Sequence, residues 1–152
     1  MKTSEPDKVM NDLRHLDEAA CMALLHDVPV GRVAWADDDG RVTVLPVNHL
    51  VDGDSIVFGT AEGGKLEAVR AGRPLTFEAD DLEPALETAW SVLVTGTAEI
   101  ITDAAEARRV RALSPRPWPH SPTSFLIRLV PRSVTGRRIP LRPGGVHWAD
   151  GG

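Results

Sequence analysis

A chain of 152 residues is long enough for one domain with a core of its own. Its 42% hydrophobic and 26% charged residues exclude a disordered or fibrous protein. No apolar run reaches the length of a membrane span, the polar first fifteen residues hold no hydrophobic signal core, and the chain is expected in the cytoplasm, without a membrane partner. A single cysteine, Cys21, cannot form an internal disulfide, which agrees with a reducing compartment. It sits in an apolar helical run and reads as core. The net charge of -5 and the lack of tyrosines to stack on bases argue against a nucleic-acid partner.

In chain order, residues 1–15 read as a flexible leader, 16–140 as the folded domain and 141–152 as a Pro/Gly-rich flexible tail. Asp17 is a candidate N-cap for a helix to about residue 26, with Leu16 as the apolar residue before the cap and Pro29 as the stop. Residues 30–36 read as a strand, 37–40 as a turn and 41–51 as the partner strand. Alternation puts Val42, Val44, Pro46 and Asn48 on one face of that strand and Thr43, Leu45, Val47 and His49 on the other. Pro46 has no N–H for a ladder and calls for a sheet edge or a bulge.

The stretch 44–69 organises the chain. Asp52-Gly53 suits a hairpin turn into a third strand at 55–60, which breaks at Thr60 into a glycine-bearing turn and a short helix starting at Lys65. Gly63 and Gly64 let backbone approach a ligand, and the free N–H groups of the helix start, the Thr60 hydroxyl and the Lys65 ammonium would all favour a bound phosphate. The spacing is not that of a Walker loop. The other reading of the same residues is a plain turn before a helix with an exposed lysine.

Residues 75–80 return as a strand, 81–88 as an acidic loop and 90–101 as the longest strand, with Gly96 marking a sharp bend. Asp103, with Glu106 three residues on, caps a helix to about residue 113. The four prolines of 114–123 permit only an extended loop, 125–130 is the last clear strand, and 134–139 extends or follows it. From residue 104 to 149 nine arginines face one acid, Glu106, which leaves open a solvated basic face, pairing with the acidic first half, or an anion held against the C-terminal strand. Six or so strands with hairpin-length connections and two or three short helices indicate a mainly β fold, an antiparallel barrel with helices outside.

The five histidines are scattered, with no cluster of metal-ligand spacing, so no metal site is expected. Serines lack a GxSxG context. Glu78 and Asp80 share a strand face and read as ion-pair partners for Arg32 rather than as an acid/base pair. No catalytic side chain is identified, and any reactive atoms belong to a cofactor.

The succession VGRVAW (30–35), LPVNHLVDGDSIVFGTAEGGK (45–65), LTFEAD (75–80), WSVLVTGTAEI (90–100), PW (117–118) and VTGRR (134–138) resembles the pyridoxamine 5'-phosphate oxidase-like FMN-binding split barrels. The resemblance implies a six-stranded antiparallel split β-barrel that binds FMN in a groove between the subunits of a homodimer. It places the phosphate near Thr60, Gly64 and Lys65, the ring system beside Pro46, Val47, Asn48 and His49, and the ribityl side near Phe58 and Gly59. Trp90 and Ser91 would approach the ring from the other chain, Trp90 being otherwise core, and Arg137 with Arg138 matches the family's terminal Gly-Arg pair. The arginine-rich substrate site and longer C-terminal segment of the pyridoxal-phosphate-making enzymes are absent. The implied function is therefore an FMN-dependent oxidoreductase acting on an unknown small molecule. The alternatives are a deazaflavin-dependent reductase, for which the arginines from 108 to 142 would supply a basic groove, and a flavin-binding module without turnover.

Overall fold

The computed structural model describes residues 15–114 and 124–141. Residues 1–14 of the expected leader, 115–123 of the proline-rich segment with Trp118, and the tail beyond residue 141 lie outside the described residues, while His15, expected in the leader, belongs to a strand. Seven strands, β1 (His15–Leu16), β2 (Val30–Ala36), β3 (Val42–Asp52), β4 (Ser55–Thr60), β5 (Leu75–Glu83), β6 (Thr88–Ile100) and β7 (Phe125–Pro140), are joined by helices α1 (Glu18–Asp27), α2 (Gly64–Arg70) and α3 (Ala104–Ala112). All pairings are antiparallel. The order β7-β4-β3-β2-β5-β6 closes on itself through β6 and β7, a six-stranded barrel to which β1 adds two residues at the edge of β7.

Period-two alternation fills the barrel: Val33 and Trp35 of β2, Leu75, Phe77 and Ala79 of β5, and Trp90, Val92 and Val94 of β6 all face the core. β4 is buried on both faces, since Ile56 and Phe58 point inward while Val57 lies beneath α3 with Val110 and Leu126. α1 closes over the core with Cys21 and Leu25, both fully buried. Its cap is as expected, Asp17 Oδ1 accepting from the Ala20 N–H at 2.8 Å, and Asp103 Oδ2 does the same for the Glu106 N–H at 3.0 Å.

Gly96 lies at a register shift in the β6–β7 ladder. A β-carbon there would stand 2.9 Å from the Val130 carbonyl carbon and 3.1 Å from the Arg132 nitrogen, so the two backbones approach at the bend only because no side chain intervenes. Pro46 pairs with Arg32 of β2 in regular register, while β4 pairs with β3 only from His49 onward. The proline thus sits on an open edge without a bulge.

The acidic stretch after Asp80 differs from expectation. β5 runs through Asp81 to Glu83 and turns at a 3-10 segment, Pro84–Leu86, with Glu87 in the left-handed region at φ 52°. Thr88 Oγ1 and Arg138 both bond Glu83, which offsets the carboxylate repulsion that made this stretch look like a loop. β7 is one continuous strand, so that of the two readings left open there 134–139 extends the strand at 125–130.

The Arg32 pairing is as expected: Nη1 lies 3.4 Å from Glu78 and 3.1 Å from Asp80, and Ser91 Oγ donates to Glu78 at 3.4 Å. Burial, then the neighbouring Asp80, raises the Glu78 pKa to about 7, against the opposing pull of Arg32 and Ser91. This cluster lies on the outer barrel face among the exposed apolar side chains Val30, Val44 and Leu93.

Candidate functional site

A cleft of about 260 Å³ opens where the end of β4 meets the start of β7. Gly59 and Thr60 pair there with Leu126 and Phe125, and together they form its floor. Asn48 of β3 and Arg111 of α3 supply further walls, and Arg111 is the one charged side chain among the described residues that line it. A β-carbon at Gly59 would meet nothing nearer than the Phe125 carbonyl at 3.9 Å, so the floor is open above the glycine.

Past Thr60 and Ala61 the chain turns into α2. Gly63 caps the helix at φ 152°, a conformation L side chains rarely adopt. Gly64 lies over Trp35, whose Cζ2 would be 3.2 Å from an added β-carbon. Thr60 Oγ1 donates to the Ala61 carbonyl at 3.1 Å, and the hydroxyl has to rotate before it can donate to a ligand. Arg70 is occupied, with Glu62 at 3.1 Å and the Phe125 ring 5.5 Å beneath its guanidinium.

Most basic side chains that fold inward are matched by acids. Arg32, Arg73, Arg128 and Arg138 are half-buried and ion-paired. Two cations among the described residues are half-buried without a hydrogen-bond or ion-pair partner: Lys65 and Arg111. Burial lowers the Lys65 pKa, and no neighbouring carboxylate opposes that shift. α3 is held by Val110 in the outer apolar cluster, by Arg109 on Asp52 at 2.8 Å and by Glu106 on Arg128 at 2.9 Å, which fixes the turn that carries Arg111.

A family model for pyridoxamine 5'-phosphate oxidase matches residues 17–138, all of the barrel but the last two residues of β7. The chain belongs to the pyridoxamine 5'-phosphate oxidase family. Its relatives include the uncharacterized protein Rv0080 of Mycobacterium tuberculosis, 36% identical over 82% of this chain and 84% of that protein. The FAD binding protein of Mycobacterium smegmatis is 32% identical in a structure covering 84% of this chain and 98% of that one, with a TM-score of 0.67. The conserved hypothetical protein Rv2991 of M. tuberculosis shares the fold at 17% identity, with a TM-score of 0.73 over 97% of this chain and 99% of that one.

Against the pyridoxamine 5'-phosphate oxidase resemblance, Asn48, Gly59 and Thr60 meet at the cleft, and Gly64 and Lys65 follow on the adjoining turn. Pro46 is exposed on the β3 edge. Val47, Phe58 and Trp90 direct their side chains into the core, at 7%, 0% and 4% exposure, so the residue itself can offer a ligand only its backbone. Trp90 shares the inward parity of Val92 and Val94; its indole is wall to the core of its own barrel. His49 also points inward: Nε2 donates to the Leu25 carbonyl at 2.9 Å, the ring meets Phe77 edge-on, and burial lowers its pKa and keeps it neutral. Ser91 and Arg137 face each other across the β6–β7 ladder, away from the cleft.

Arg111, Ala61, Ser124, Phe125 and Leu126 complete the cleft and were not singled out from the sequence. Arg111 lay within the arginine run, but nothing local separates it from Arg109, which is taken by Asp52. Among the described residues no three His, Cys, Asp or Glu side chains gather as a metal site, and no helix is long and apolar enough to cross a membrane.

Proposed function

We propose that this family member binds a flavin nucleotide, FMN in its simplest form, and as a cytoplasmic homodimer transfers hydride or electrons to a small molecule. The observation that carries the reading is Lys65: a half-buried ammonium beside a glycine turn, with no hydrogen-bonded or ion-paired counter-charge among the described residues. Such a charge is costly until an anion joins it, and a ligand phosphate is the group that fits. The 32% identical FAD binding protein of M. smegmatis supports a flavin as the bearer of that phosphate.

The residues fit the cofactor in a further respect. A cleft of about 260 Å³ falls below the roughly 300–1,000 Å³ typical of sites that enclose a drug-sized ligand, so one barrel cannot surround a whole flavin. Exposed apolar side chains on the barrel surface, among them Leu45, Val44 and Leu93, support a second copy as the missing wall. The flavin would supply the redox chemistry; the chain's role is to bind its phosphate, present backbone along β3 and exclude water.

One observation favours the reading without turnover: among the described residues that line the cleft there is no Asp, Glu, His or Cys to move a proton. The two are separated by the absorbance of the purified protein and its response to reduced nicotinamide nucleotides. Visible flavin bands that bleach and recover with an acceptor support the oxidoreductase. Bands that no reductant and acceptor pair can cycle support the binding module, and a colourless protein that takes up only a deazaflavin moves the chain to that cofactor. Sedimentation at twice 16.4 kDa is expected for the dimer.

A further inference from the structure

We propose that a second copy of this chain docks on the outer face of β2, β3, β5 and β6 around Glu78, and that docking takes up a proton held between Glu78 and Asp80. The proposal rests on the homodimer part of the reading above, and adds where the copies meet and what governs their meeting.

The ladder registers define the face. Pro46, Arg32, Glu78 and Leu93 stand side by side across β3, β2, β5 and β6. Val44 and Ala34 lie in the row on one side, and Asp80, Ser91 and Arg137 in the row on the other. Val30, Val44, Pro46 and Leu93 are exposed, so uncovered apolar groups surround the charges. Asn48, opposite Val30, belongs to this face and also lines the cleft, so a second copy seated here walls the cleft as well.

The charge at the centre is unbalanced. One nitrogen of Arg32 serves two carboxylates, Glu78 at 3.4 Å and Asp80 at 3.1 Å, which leaves a negative charge over. Glu78 is faced by Arg32 from β2, by Asp80 along β5 and by Ser91 and Leu93 from β6; the next cation, Arg137, stands exposed beyond Ser91 on β7. Water solvates the excess on an open face. A second copy removes that water, and in a two-fold pair it brings the same excess, so neither centre neutralises the other. A proton does: it replaces the carboxylate repulsion with a hydrogen bond between Glu78 and Asp80, and Arg32 balances the one charge that remains. Burial and then Asp80 already raise the Glu78 pKa to about 7 in the single chain, and deeper burial raises it further. A pKa higher in the pair than in the free chain means association that is complete below about pH 7 and weakens as pH rises past it.

The competing explanation is that the partner's Arg137 supplies the missing positive charge. Glu78 would then ionise on docking, and association would tighten as pH rises. The place of Arg137 at the margin of the face, on the strand beyond Ser91, favours the proton.

The test follows the protein as purified by sedimentation velocity over a dilution series at pH 6 and pH 8.5, with melting curves to verify folding. Subunit exchange between ordinary and nitrogen-15-labelled chains reads dissociation where the pair is too tight to dilute apart. Wild type is expected to associate at least about tenfold more weakly, or to exchange at least about tenfold faster, at pH 8.5 than at pH 6. Glu78→Gln is neutral at both and should pair equally well at both; Asp80→Asn, which leaves Arg32 one carboxylate to match, should also flatten the profile. Leu93→Ser should weaken the pair at both pH values and keep the slope. Association independent of pH in wild type, or a slope that survives in Glu78→Gln or Asp80→Asn, overturns the proposal and leaves the homodimer standing. Association unchanged in Leu93→Ser places the contact elsewhere and overturns it. A pair that tightens with pH in wild type but not in Arg137→Met overturns it in favour of the arginine. A wild type that is monomeric at both pH values overturns the homodimer along with the proposal.

Discussion

Asp52 receives both terminal nitrogens of Arg109, at 3.1 and 2.8 Å, and a third contact from Arg128 at 2.9 Å, so the β3–β4 turn is fastened to α3 and to β7 at one carboxylate. These guanidinium bonds, Arg109 first, hold the Asp52 pKa down to about 2 from 3.8. A depressed folded pKa means stability that is complete above pH 3.8 and lost as pH falls toward 2. Asp52→Asn should therefore cost about 1 to 2 kcal/mol at neutral pH, the Arg109 arm being open to solvent, and should flatten the acid limb of a urea-stability profile. An acid limb unchanged in Asp52→Asn would assign it to other carboxylates.

Glu78 acts in the opposite direction. Its pKa rises to about 7 in the folded chain through burial and Asp80, from an ordinary 4.5. The folded state then holds a proton that the unfolded chain has released, so this group makes stability fall as pH rises from about 4.5 to 7. Glu78→Gln should remove that decline. Urea midpoints of wild type and variant at pH 5 and pH 7.5 measure it: the wild type is expected to lose stability between the two and the variant to lose less.

At Gly96 the prediction is steric. An added β-carbon meets the Val130 and Arg132 backbone, which cannot yield without opening the barrel seam, so Gly96→Ala should destabilise by about 3 kcal/mol. Gly59→Ala, with 3.9 Å to its nearest neighbour, should leave the urea midpoint nearly unchanged. Equal midpoints for the two variants would mean that the bend at Gly96 is not forced.

Much of this was legible in the chain because the deciding interactions are local. Asp17 and Asp103 announce their helices within three residues, and Gly96 interrupts an otherwise continuous strand. Even the Arg32 pairing followed from the shared strand face of Glu78 and Asp80. The acidic stretch after Asp80 was misread because what neutralises Glu83 is Arg138, fifty-five residues away. Arg111 was invisible for the same reason. Nine arginines in one run look alike until the fold shows which of them have acids to meet.

Lys65 is proposed to hold a ligand phosphate, and FMN against riboflavin tests this most directly, because the two differ by that group alone. A charge-assisted hydrogen bond of roughly 1.5 to 3 kcal/mol predicts that Lys65→Ala weakens FMN by about ten- to a hundredfold and leaves riboflavin affinity nearly unchanged. Added salt should weaken FMN binding more in wild type than in the variant, since screening acts on the charge pair that the variant lacks. Equal loss of both ligands, in a variant whose melting curve matches wild type, would contradict the account and make Lys65 a part of the fold rather than of the site.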